Sequence, residues 1–136
     1  MKQPYNTQYR PPIPILNIRL YSPVSDIFSD ALPALVDTGS DASLVPLTQL
    51  LELEAEETAP GWLVSITGER KVVPLYFVDV YIDHIALPGI RVIADKDADE
   101  VILGRDVLNK LSLFLDGPER FLTIPDDRLI QRLRRE

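Results

Sequence analysis

The sequence contains no cysteine, a single histidine, a single tryptophan and a single methionine. Without thiols there is no disulfide framework, no thiolate metal site and no cysteine nucleophile. The lone histidine, His84 in "YIDHIAL", has no second imidazole to complete a metal set, and its place between two apolar runs marks it as a surface turn residue. No cofactor and no metal ligand set is read from the chain. Cations are also scarce: 14 Lys and Arg face 21 Asp and Glu, for a net charge of -7. That excludes a nucleic-acid surface, which needs clustered cations, and only the closing "RLIQRLRRE" gathers any. No apolar run approaches the roughly 18 residues of a membrane helix, and "MKQPYNTQYRPP" at the start lacks the apolar core of a leader. The expectation is a soluble, cytoplasmic protein.

What is present is strand-like. With 136 residues and 46% hydrophobic content, the chain has enough apolar surface for one core and too little length for two. "IPILNIRL" (13 to 20) alternates apolar and polar, and its prolines predict an outer strand. "YSPVSDIFSD" (21 to 30) is rich in turn formers and predicts a long hairpin loop. "WLVSIT", "KVVPLYFVDVYI" and "IRVIA" predict an antiparallel meander broken at "TGER" and "DHIALPG". "LTQLLELEAEE" (47 to 57) and "GRDVLNKL" (104 to 111) have helical spacing, and "LSLFLDG" and "RFLTI" predict two closing strands. The organisation is an N-terminal arm at 1–9, a domain at 10–124 and a charged tail at 125–136. That tail suits a short amphipathic helix capped by Asp126.

One stretch stands out against this pattern, "PALVDTGSDASLVP". An apolar strand delivers a carboxylate, Asp37, whose burial is costly. A tight turn follows, in which Gly39 lets backbone approach backbone, Thr38 offers a locking hydroxyl and Ser40 adds a donor able to reach the carboxylate. Taken alone, the triplet is equally an ordinary turn between strands.

Downstream, "DEVILGRDVL" repeats the layout: Val101, Ile102 and Leu103 run into Gly104, and a helix begins. In these two motifs, in this order and with a hairpin between them, the chain resembles the retropepsin-like aspartic proteases over about residues 10 to 124, as a cellular, bacterial-type member. The resemblance implies an all-β fold: a closed acid-protease barrel with a flap hairpin, one or two short helices and one lobe per chain. It implies an aspartic endopeptidase with Asp37, Thr38 and Gly39 as catalytic turn. Since the chain holds one Asp-Thr-Gly, it implies a homodimer with one Asp37 from each subunit. Its partners are then a peptide or protein substrate and a second copy.

Further roles follow from the same likeness. Thr38 would bond across the two-fold axis, and Gly39 would offer its carbonyl to substrate. Asp41 would bind substrate backbone and pair with Arg105, while Arg10 would form an intersubunit ion pair near Asp41. Ser40, Leu35, Leu44 and Ile102 would line the substrate site, and Ile66, Thr67 and Gly68 would form the flap tip. A different class remains open, a noncatalytic dimerisation or peptide-binding module on the same fold. Phosphoryl-transfer folds with an Asp-x-Asp or Asp-Lys-Thr-Gly turn are a third, but they need metal carboxylates that are not apparent.

Overall fold

The structure is a computed structural model that describes residues 1–136. In chain order its strands are β1 (Lys2–Pro4), β2 (Ile15–Ser22), β3 (Ile27–Phe28), β4 (Leu32–Val36) and β5 (Leu44–Pro46). They continue with β6 (Glu56–Glu57), β7 (Gly61–Val64), β8 (Arg70–Val73), β9 (Leu75–Ile82) and β10 (Ile85–Asp95), and close with β11 (Val101–Leu103), β12 (Phe114–Asp116) and β13 (Phe121–Thr123). Three short helices interrupt them: α1 (Leu47–Glu52), α2 (Arg105–Leu108) and α3 (Asp127–Arg134).

The main sheet runs β3-β2-β4-β11-β5-β10-β9-β6, and a further pairing of β2 with β9 closes it on itself. The ring β2-β4-β11-β5-β10-β9 is therefore a closed six-stranded barrel, with β3 and β6 appended. Period-two patterning explains the closure. Along β2, Leu16, Ile18 and Leu20 are buried while Asn17 and Arg19 between them are exposed. Along β9, Tyr76, Val78, Val80 and Ile82 turn inward in the same way. Each such aliphatic side chain contributes about 1.5–3 kcal/mol by leaving water. Leu50 and Leu53 after β5, and Val107 in α2, complete the core.

Several elements differ from the sequence expectation. β2 is not an outer strand: it lies between β3 and β4 and also meets β9. Its prolines, Pro12 and Pro14, precede Ile15 and so cost the ladder no donor. The loop at 21–30 is a compact hairpin, because Tyr21 and Ser22 pair with Phe28 and Ile27. The helix expected over 47–57 stops at Glu52; Glu54 adopts φ 50, and Glu56–Glu57 pair with β9 instead. The break at "DHIALPG" shrinks to a turn at Asp83 and His84, and the strand resumes at Ile85 with an irregularity between Leu87 and Ile90. The tail helix forms as read, with the Asp126 side chain accepting from the Leu129 N–H at 2.8 Å. Unforeseen was β1, which pairs with β13 in a separate sheet of order β1-β13-β12.

Candidate active site

The site is made by β11. This strand pairs parallel with β4, Leu103 beside Val36, and antiparallel with β5 at Ile102 and Leu44. Parallel neighbours end at the same rim, so the two motifs of the sequence, Asp37-Thr38-Gly39 and Gly104-Arg105, emerge side by side. The Asp37 N–H donates to the Leu103 carbonyl at 3.0 Å. Asp37 then turns out of the sheet: its Oδ1 accepts the Gly39 N–H at 2.9 Å, and its carbonyl accepts the Ser40 N–H at 3.2 Å. Asp37, Thr38 and Gly39 are all exposed. The carboxylate that looked costly to bury thus stands in solvent, because this chain alone supplies nothing to cover it.

Three successive residues after β11 grip the loop that carries Asp37. Gly104 is buried against it: a Cβ there would lie 2.6 Å from the Ala42 carbonyl carbon and oxygen and 2.8 Å from the Ser40 oxygen. Only glycine lets the two backbones approach so closely. Arg105 donates its N–H to the Ser40 carbonyl at 2.8 Å and its guanidinium to the Thr38 carbonyl at 3.1 Å, and it forms the expected ion pair with Asp41. That pair is largely solvated, so its value lies in geometry more than in stability. Asp106, which the sequence reading passed over, accepts from Ser43 twice: the N–H at 3.0 Å and the hydroxyl at 2.7 Å. The Ser43 hydroxyl oxygen in turn accepts the Gly104 N–H at 3.0 Å.

Ser40 corrects one expectation. Its hydroxyl donates to the Ala42 carbonyl at 2.6 Å and not to Asp37, so it closes the turn and leaves the carboxylate alone.

Opposite this loop stands the hairpin β7–β8, a two-stranded sheet of its own with Trp62 beside Val72 and Leu63 beside Lys71. Its tip is held locally, Ser65 N–H to the Glu69 carbonyl and Gly68 N–H to the Ser65 carbonyl, both at 2.9 Å. Gly68 adopts φ 87, a left-handed conformation that favours glycine. Ile66 at the tip is fully exposed. The hairpin and the loop enclose a cleft of about 320 Å³, whose walls include Gly39, Ser40, Asp41, Leu44, Ile66 and Ile93.

Not every residue named from the sequence comes to this cleft. Leu35 and Ile102 sit side by side on β4 and β11, half-buried in the sheet, and the apolar wall is supplied by Leu44, Leu63 and Ile93 instead. Thr67 and Gly68 lie in the exposed turn beyond it, with the Thr67 and Ser65 hydroxyls 2.8 Å apart. Arg10 is exposed and has no acidic partner within the chain. Ile93 and Leu63 were missed because each reads simply as one residue of an apolar strand. The largest cavity, about 440 Å³, lies elsewhere, between α3 and the His84 turn, and none of its lining residues belongs to the Asp37 loop. His84 itself is an exposed turn residue beside Asp83, 3.3 Å away. No group of three or more His, Cys, Asp or Glu is placed to hold a metal ion.

No family model matches the sequence, and no curated protein matches it either. Solved structures do. The protease of EIAV, in complex with the inhibitor HBY-793, superposes with a TM-score of 0.54 at 20% identity, covering 72% of this chain and 86% of its own. A retropepsin-like aspartic protease from Rickettsia conorii gives a TM-score of 0.57 at 15% identity, over 90% of this chain and 86% of that one. The retroviral protease-like domain of Ddi1 from Leishmania major gives 0.50 at 18% identity, over 84% and 90%. The closed six-stranded barrel and the single lobe of this chain accord with these likenesses, and the chain has the retropepsin-like fold.

Proposed function

We propose that the protein is an aspartic endopeptidase that works as a homodimer, with Asp37 of each subunit forming one catalytic pair. The observation that carries this reading is the exposed Asp37 carboxylate, held by the Gly39 N–H in a loop whose next residues, Gly39, Ser40 and Asp41, line a largely apolar cleft, and left without a second catalytic carboxylate in its own chain. Amide hydrolysis by carboxylates alone needs two of them. One, ionised, takes a proton from water as the oxygen attacks the carbonyl carbon; the other, protonated, gives its proton to the carbonyl oxygen. The tetrahedral diol then collapses, the C–N bond breaks, and the amine leaves with a proton returned from the pair. Two carboxylates about 3 Å apart cannot both ionise, so such a pair shares one proton.

The rest of the chain supports the same reading. β12 is one of the two edges of its sheet, with Phe114 56% and Leu115 46% exposed, an apolar strand edge that calls for a partner. The hairpin β7–β8 acts as the flap, closing over a bound peptide and excluding water. Arg10, unpaired within the chain, is free to reach the partner subunit, and Thr38 to bond across the axis.

The test is digestion of a peptide library at acidic pH by the wild type, by Asp37→Asn, and by mixtures of the two. Cleavage by the wild type, none by the variant, and a loss in mixtures steeper than dilution are expected. Full activity of mixed dimers, or cleavage by a strictly monomeric preparation, sinks the shared site.

A further inference from the structure

The geometry points to Asp106 as a positioning residue for the catalytic turn, acting through Ser43; this rests on the endopeptidase reading above. Ser43 is the one buried residue of the loop at 37–43, 1% exposed, and a buried hydroxyl and N–H left without partners are destabilising. Both find them in one carboxylate 63 residues away, at 2.7 and 3.0 Å. Asp106 also accepts the Val107 N–H at 2.9 Å, which fixes its rotamer against the first turn of α2. With its proton committed to Asp106, the Ser43 oxygen is left as an acceptor, and the Gly104 N–H fills that place. The result is a one-way chain of donors, Gly104 to Ser43 to Asp106. It locks the far end of the loop to the junction at which Gly104 already touches Ala42.

At the near end of the loop the backbone is held by Leu103 and Arg105, but the Asp37 side chain is not. The Asp37 N–H is held by Leu103, but the side chain is exposed and its one intrachain donor, Gly39, belongs to the same turn. Where the Asp37 carboxylate points depends on the turn's position, which the buried end of the loop fixes together with Leu103 and Arg105. A displacement of about 1 Å at a reacting group costs on the order of 10²-fold in rate. Asp106 touches no substrate and transfers no proton; it holds the turn at the separation two facing carboxylates require.

The experiment compares Asp106→Ala, Asp106→Asn and Ser43→Ala in the full chain. For Asp106→Ala, kcat on a peptide substrate falls at least about 10-fold while KM stays within about threefold, since the apolar walls of the cleft are untouched. Asp106→Asn, which keeps one acceptor for the Ser43 hydroxyl and serves if the alanine variant does not fold, loses less. Ser43→Ala loses as much as Asp106→Ala, and the double variant adds nothing further because both cut one chain of bonds. Amide exchange is the second readout: at Asp37, Ser40, Gly104 and Arg105 it quickens about 10-fold or more, while Val78 and Val80 in the barrel keep their rates. A kcat within twofold of wild type beside a lowered Tm would make Asp106 a merely structural residue, and unchanged exchange at residues 37–40 would overturn the lock. If the wild type cleaves nothing, the endopeptidase reading falls, whereas the exchange measurement still decides for or against the lock.

Discussion

The two turns that face each other across the cleft are built in opposite ways. The loop at 37–43 is bonded to Gly104, Arg105 and Asp106, residues more than 60 positions away in the chain. The turn at 65–69 is bonded only to itself, and its strands Gly61–Val64 and Arg70–Val73 form a sheet that nothing else joins. Opening the hairpin costs few buried contacts, whereas moving the loop disturbs the core at Val107 and Leu103. A fixed chemical group opposite a loosely attached hairpin is the division of labour that the proposed hydrolysis calls for.

The largest effect should come from the chemistry the fixed side carries. Asp37→Asn is expected to lower peptide cleavage by about 10³-fold, with an unchanged circular dichroism spectrum, because the substituted group is exposed and isosteric. Next is the contact that fixes the loop. Gly104→Ala forces a Cβ to within 2.6 Å of the Ala42 backbone and should cost about 1–3 kcal/mol in urea unfolding, together with activity.

On the loose side, the order of effects reverses. A Cβ at Gly68 meets nothing within 4 Å, so Gly68→Val strains only the φ of 87 at the hairpin tip. The cost of about 1–2 kcal/mol falls on the hairpin, slowing turnover by roughly 5–30-fold while Tm moves by less than about 2 °C. A fall in Tm with turnover unchanged would show that the hairpin is part of the structural framework and not a cover. A smaller effect is expected at Ser40. Since its hydroxyl serves Ala42, Ser40→Ala should cost about 1 kcal/mol of stability and leave the acid limb of the pH–rate profile in place. A shifted limb would mean that the hydroxyl turns to Asp37 in the dimer.

Tyr76, away from both turns, provides the baseline. Burial first, and its hydrogen bond to Glu57 at 3.0 Å second, raise its phenol above the ordinary value of 10. The unfolded phenol ionises first, so its contribution to stability is complete below pH 10 and is lost as the pH rises through the higher folded value. Tyr76→Phe should flatten that alkaline decline, read by thermal melts, and leave cleavage untouched.

These contrasts also separate what local sequence reveals from what it hides. Asp37, Gly104 and the pairing of Asp41 with Arg105 were legible, because two short motifs with a fixed internal layout announce them. The tail helix and the closing hairpin were legible from spacing and caps. The role of Ser43 and Asp106 was not, since neither residue is unusual in its own neighbourhood and their bond spans 63 positions. An acid in the first turn of a short helix that follows a buried glycine was the available signal. β2 was misplaced for a related reason: its prolines were counted as part of the strand, while the register starts one residue after Pro14. Likeness alone points to Leu35 and Ile102 as cleft residues; they share the sheet face of Leu44 but stand outside the space that the hairpin and the loop enclose.

The sheet of order β1-β13-β12 has a consequence for how the molecule is made. Lys2 pairs with Thr123 and Pro4 with Phe121, so in synthesis β1 lacks its neighbour until about 120 residues later. At ordinary rates of translation that is roughly 6–24 s. During that interval the segment leading into β2 lacks its bond to the turn before β13, from the Tyr5 N–H to the Arg120 carbonyl at 2.9 Å, and keeps only its local bridge between Asn6 and Ile13. The open edge of β12, which the proposed dimer needs, can take its final form only with the same closing hairpin. A dimer of the proposed kind can therefore assemble its shared site only after β13 has been made.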